Sequence, residues 1–173
     1  MTNNSPAFDL SGSDALKAAF RNHASGISVI TALDLDGNPI GFTASSATSL
    51  GSNPPLVSLN VAQGSSSYPH LLPGRFVALH TLDSDSLHLA QRFAGDKAGR
   101  FVGDEIDGPE GLPIIPQASS VLIGKVREKY EIESNAVVII DALTASVMRT
   151  PQEPLVYFQR AYHAIGNKLA DND

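Results

Sequence analysis

Two long strand-forming runs, "VLIGKVREKYEI" (121–132) and "AVVIIDALTASV" (136–147), lie only three residues apart. In the first, Leu122, Gly124, Val126, Tyr130 and Ile132 fall on one side of a period-two pattern, opposite Lys125, Arg127, Lys129 and Glu131. That alternation reads as a half-exposed antiparallel strand. The second run is apolar on both faces, as an inner strand is. Around this pair, "ISVITAL" (27–33), "IGFTASSATSL" (40–50), "LVSLNV" (56–61), "RFVALHTL" (75–82) and "EPLVYFQRAYHAI" (153–165) each read as one further strand. The Asp36-Gly37 pair marks a hairpin turn between the first two of them.

Only two stretches carry a clear helical period. The first has Ser13 as N-cap, Leu16 and Phe20 on one face, and Gly26 as its end. The second, "DSDSLHLAQRFAG", is capped by Asp83 or Ser84 and repeats Leu87, Ala90, Phe93 and Ala94 at helical spacing. The segment 107–117 is rich in turn residues and reads as loop. Six or seven strands with short connections and so few helices argue for a mainly β protein with short helices, closed into an antiparallel barrel. A doubly wound nucleotide-binding sheet is excluded by the missing βα rhythm and by the absence of G-x-G-x-x-G after a strand.

The chain has 173 residues, 42% hydrophobic and 17% charged, the balance of one globular domain. Its expected extent is 14–166, with a flexible segment at 1–13 and a polar tail at 167–173. A net charge of -6 argues against a nucleic-acid partner. No cysteine is present, which removes disulfides, thiolate nucleophiles and thiolate metal sites and fits a reducing compartment. No basic and apolar leader opens the chain, and no apolar run approaches the ~18 residues of a membrane helix. The reading is therefore cytoplasmic, without a membrane partner. His23, His70, His88 and His163 show no metal-ligand spacing, so no metal site is expected.

The stretch "GFTASSATSL" (41–50) carries five hydroxyl side chains where branched apolar residues would be usual in a strand. One reading is a polar sheet edge whose hydroxyls bond each other and water. The other is an anion site, because Ser and Thr hydroxyls beside backbone N–H groups form a concave donor set. Thr43, Ser45, Ser46, Thr48 and Ser49 supply donors, while Ala44 and Ala47 leave room for a flat ring. A second cluster, Ser65-Ser66-Ser67, follows the neighbouring strand. Four bonds to a phosphate contribute on the order of 6–12 kcal/mol, against an association cost of about 4–15. A buried ring has to add the rest.

The run "FRNHASGISVITALDLDGNPIGFTASSATSLGSNPPLVSLNV", continued in order by "SSSYPHLL", "GRFVALHTL", "LAQRFAG", "GRF" and "PLVYFQRAYHAIG", resembles the short-chain flavin reductase-like family across about residues 17–166. The resemblance implies an antiparallel split β-barrel of the FMN-binding type, assembled as a homodimer. FMN or FAD would bind near the dimer interface, with NADH or NADPH as electron donor. By motif match, Thr43, Ala44, Ser45 and Ser46 would contact the flavin and its phosphate, and Asn60 and Val61 would lie along the ring. Ser65, Ser66 and Ser67 would close the phosphate side, with Arg100 as counter-charge and Arg92 a weaker candidate. Tyr157, Arg160 and Tyr162 match the terminal strand near the cofactor, and His163 is expected in a structural or interface role.

The resemblance implies an FMN reductase in which the flavin carries the chemistry and no side chain acts as a catalytic nucleophile. Its reduced product would serve a partner monooxygenase. Two positions depart from the family pattern. Glu133-Ser134-Asn135 stands where Gly-Asp-His is common, putting Asn135 on the nicotinamide side without an imidazole, and His80 stands where an asparagine is common. That departure leaves a second reading open: a dimeric FMN-binding protein without efficient NAD(P)H turnover. A third is oxidation or reduction of another small substrate on the same barrel.

Overall fold

The computed structural model describes residues 8–150 and 152–166. Residues 1–7 of the expected N-terminal segment, and the whole tail 167–173, lie outside the described residues. The chain opens with helix α1 (Gly12–Arg21), preceded by extended Ser11 and closed by Asn22 rather than by Gly26. Gly26 instead lies in the two-residue strand β1 (Ser25–Gly26). α1 buries none of its residues, and Leu16 and Phe20, which share one face, are 59% and 63% exposed.

The principal sheet is built from β2 (Ser28–Leu33), β3 (Pro39–Ala44), β4 (Thr48–Ser52), β5 (Pro55–Ala62), β6 (Phe76–Thr81), β9 (Ser120–Ile132) and β10 (Asn135–Val147), in the order β3-β2-β6-β9-β10-β5-β4. Every pairing is antiparallel. One core cluster draws Ile30, Ala44, Leu59, Val77, Val126 and Val138 from every strand of the sheet but β4, so the sheet curls around its own inner face. It does not close: β3 and β4 are its two edges. The barrel is split, which corrects the closed barrel expected from strand count alone. A second cluster packs α2 (Leu87–Ala94) outside β2, with Leu89, Ala90 and Phe93 against Ile27 and Val29. Leu89, outside the helical repeat read from the sequence, is buried, while Ala94 within it is exposed.

The split exists because "IGFTASSATSL" is not one strand. β3 ends at Ala44, Ser45–Ala47 cross over, and β4 begins at Thr48 on the opposite edge. The chain therefore bridges the two edges covalently, where the hydroxyl cluster lies. Within the hairpin before it, the Asp34 carboxylate accepts from the backbone N–H of Asp36 and Asn38, and Gly37 takes φ 86°.

β9 contains a bulge. Val126 opposes Ile140 and Glu128 opposes Ile139, leaving Arg127 as an extra residue. One extra residue inverts every later side chain. Lys129 and Glu131 thus join the barrel side of Val138 and Ala136, while Tyr130 and Ile132 turn outward at 55% and 58% exposure. This corrects the single apolar face read along 121–132.

The last expected strand is a hairpin, β11 (Leu155–Phe158) and β12 (Ala161–Ala164), with β11 also pairing β1. Its turn residues Gln159 and Arg160 both have positive φ, 49° and 66°. Hairpin turns of that kind ordinarily carry Asn or Gly, so the sequence gives no sign of one here. A short ladder, β7 (Ile106–Asp107) with β8 (Pro113–Ile114), folds up part of the expected 107–117 loop.

Candidate functional site

β3 and the crossing that follows it each border a cavity. The larger, about 590 Å³, has Ser45, Ser46, Ala47, Thr48 and Asn60 on one wall and Phe20, His23, Ala24, Ser25 and Gly26 on the other. The smaller, about 260 Å³, is lined by Asp34, Pro39, Ile40, Gly41, Ser66, His70, Lys97, Arg100 and Phe101. Gly41 on β3 and Ser45 just beyond it are four residues apart, roughly 13 Å in extended chain.

Two contacts span the split. The Ser46 hydroxyl donates to the Asn60 carbonyl at 3.1 Å and accepts from the Asn60 N–H at 3.0 Å. Asn60 lies beyond the part of β5 that β4 covers, so a side chain continues the ladder where no strand does. The Arg100 guanidinium donates to the Gly41 carbonyl at 2.6 Å, to Gly95 at 3.0 Å, and lies 3.5 Å from Ser66 Oγ. Among the described residues no carboxylate pairs with Arg100. Arg92, in contrast, is held bidentately by Asp104 at 2.8 and 3.1 Å, so its charge is spent.

The hydroxyls divide by what already holds them. Thr43 Oγ1 donates to the Ala90 carbonyl at 2.6 Å, tying β3 to α2. Ser46 commits its one proton to Asn60. Ser65 Oγ accepts from the Ser67 N–H at 3.3 Å. Among the described residues, Ser67 Oγ is buried with no partner, as is His70 Nδ1. Leaving a buried hydroxyl unpaired costs about 1–3 kcal/mol, which a ligand acceptor would recover. Ala44 and Val61 turn their side chains into the barrel core. Only their backbone is left for a ligand.

The smaller cavity therefore gathers Lys97, Arg100, Ser66 and His70, a set of donors that suits a phosphate, with the buried Ser67 hydroxyl next in the chain to Ser66. Its one nearby carboxylate, Asp34, is held below the usual carboxylate range, first by the Asn38 side chain and then by backbone N–H groups. Lys97, His70 and the α1–β1 wall were not read from the sequence. Lys97 lies three residues before Arg100, and only that basic spacing hinted at it. The larger cavity falls within the several-hundred Å³ range typical of small-molecule sites. The residues present fit a phosphorylated ring ligand.

The nicotinamide-side candidates are not brought together within the chain. Asn135 opens β10 opposite Ala62, beside the turn Glu133–Ser134. Tyr157 and Arg160 line a recess with Lys17, Phe20, Arg21 and His23, in the other sheet. Tyr157 meets Tyr162 edge-on at 5.3 Å, and His163 meets Phe158 at 6.0 Å. His80 lies away from the split. Its Nδ1 bonds the Val29 carbonyl and its Nε2 accepts from the Ile115 N–H, both at 3.1 Å. Burial lowers its pKa to about 4, so it is a neutral clamp in the core.

No helix among the described residues is long and apolar enough to cross a membrane. The sequence is 33% identical over 154 residues to an "NADH:FMN oxidoreductase" of Rhodococcus qingshengii, covering 85% of this chain and 79% of that protein. It is 29% identical over 161 residues to an "NADH:riboflavin 5'-phosphate oxidoreductase" of Streptomyces pristinaespiralis, covering 91% of each. A crystal structure of a flavin reductase domain protein from Arthrobacter sp. FB24 superposes with a TM-score of 0.83 at 35% identity, covering 91% of this chain and 98% of that one. Residues 20–166 match the family described as "Flavin reductase like domain", and the chain belongs to that family.

Proposed function

We infer that this protein is an NAD(P)H-dependent flavin reductase that takes FMN as its flavin substrate and works as a homodimer in the cytoplasm. The observation that carries the reading is the split itself: a donor-rich small cavity lies on β3 and a larger one on the Ser45–Thr48 stretch that directly follows it. In this reading Ser66, Lys97 and Arg100 hold the phosphate, the buried Ser67 hydroxyl follows Ser66 in the same turn, and Ser45, Ser46 and Ala47 border the ring. Thr43 and Ser46 shape this edge by fixing β3 to α2 and the crossing to β5. Bound flavin would supply the redox chemistry, as acceptor for the two electrons that a dihydronicotinamide gives up as hydride. The chain's task is to place the two rings face to face and keep one flavin face open.

Exposed apolar groups support the dimer. Leu16 and Phe20 on α1 and Tyr130, Ile132, Leu143 and Val147 on β9 and β10 are exposed and find no cover among the described residues. An open groove suits release of reduced flavin to a separate monooxygenase. Asn135 favours one second reading, a dimer that binds FMN but turns over NAD(P)H slowly, because an amide cannot supply an imidazolium charge. The reading is tested by titrating FMN and riboflavin into the protein while following sedimentation. Dimeric protein that prefers FMN supports it. A monomer that binds both alike overturns it.

A further inference from the structure

Lys129 lies on the charged side of β9 by simple alternation, yet the Arg127 bulge turns it toward the barrel. Its side chain is only 6% exposed. The ammonium lies 3.4 Å from the centre of the Tyr68 ring and donates to the Tyr68 carbonyl at 2.8 Å. Glu131, inverted by the same bulge, is 3.7 Å from Lys129 and accepts from the Tyr68 hydroxyl at 2.8 Å. One carboxylate thus serves both the cation and the phenol.

Tyr68 directly follows the Ser65–Ser67 turn. The Tyr68 N–H bonds the Ser65 carbonyl at 3.0 Å, and the His70 N–H bonds the Ser67 carbonyl at 3.1 Å. Whatever fixes Tyr68 therefore fixes the turn that presents Ser66 beside Arg100 and buries the unpartnered Ser67 hydroxyl. We propose that Lys129 is a positioning residue for flavin phosphate, acting through Tyr68 and Glu131 on the Ser65–Ser67 turn. This rests on the reading of the smaller cavity as the phosphate site. Burying an ammonium is unfavourable unless it is well paired. Here the aromatic face, the carbonyl and Glu131 offset that cost, and the compensation is directed at one loop.

The test compares FMN with riboflavin, which lacks the phosphate, in Lys129→Met, Lys129→Arg and Arg100→Gln proteins of native circular dichroism. Lys129→Met is expected to raise the FMN dissociation constant about tenfold, the worth of one hydrogen bond to a charged group. Riboflavin affinity and kcat at saturating FMN stay within about twofold of the parent, because the ring site is untouched. Lys129→Arg restores most of the FMN affinity, since its guanidinium keeps both the donor and the contact with the ring. If Arg100→Gln discriminates the two flavins and Lys129→Met does not, the positioning role is wrong while the phosphate site stands. If neither discriminates, the phosphate site is misplaced and this inference falls with it. Should Lys129→Met not fold, Glu131→Gln, which keeps an acceptor for Tyr68 but removes the charge beside Lys129, must show a smaller FMN-selective loss. Equal loss for both flavins in that variant overturns the proposal.

Discussion

Ser46 and Asn60 are joined through both main-chain polar groups of Asn60, by one hydroxyl that donates and accepts at once. This bond pair holds the Ser45–Ala47 crossing against β5 where β4 no longer covers it. Removing it with Ser46→Ala should lower stability by about 1 kcal/mol, measured by denaturant unfolding. FMN and riboflavin should weaken alike, because the proton of Ser46 is already spent. A loss confined to FMN would show that Ser46 turns to the phosphate.

Arg100 is the guanidinium on the cavity without a carboxylate partner. Arg100→Gln should cost FMN at least tenfold more affinity than riboflavin, read by fluorescence titration, since a charged hydrogen bond is worth about 1.5–3 kcal/mol. Part of the loss will appear as lower stability, because Gly41 and Gly95 lose their donor. Arg92→Gln should leave the ratio of the two affinities unchanged.

His80 makes stability depend on pH in a defined window. Its folded pKa of about 4 lies below its ordinary 6.5, so between those values the unfolded chain binds the extra proton. Stability is then fully present above about pH 6.5 and falls as pH drops toward 4, by up to about 3 kcal/mol from this one group. Denaturant midpoints measured across that range should show the slope, and His80→Asn should flatten it. A slope unchanged in the variant would assign the titration to other groups.

Asn135→His should raise NADH turnover severalfold if position 135 faces the nicotinamide across the dimer. The check is steady-state NADH oxidation at saturating FMN. An unchanged rate would place the nicotinamide elsewhere and leave Tyr157 and Arg160 as the remaining candidates.

Much of the barrel was legible because its strands obey simple alternation and its first hairpin carries Asp-Gly. Three features were hidden for physical reasons. The Arg127 bulge leaves no mark in composition, yet it inverts Lys129 through Ile132. The Gln159-Arg160 turn uses positive φ without glycine or asparagine, held by pairing on both sides. The break at Ser45–Ala47 looks like strand, and only the edge positions of β3 and β4 reveal it as the split. At the site, the family pattern named Ser66 and Arg100, which line one cavity. It could not show that Thr43 and Ser46 are bound to protein carbonyls, nor that Lys97 and His70 join the same cavity.

The most direct measurement is anaerobic mixing of a small amount of the purified protein with excess FMN and NADH, followed by visible absorbance. Protein-dependent bleaching of FMN, matched mole for mole by NADH consumed, is the expected result. Folded protein that leaves the FMN yellow with NADH and with NADPH would contradict a flavin reductase.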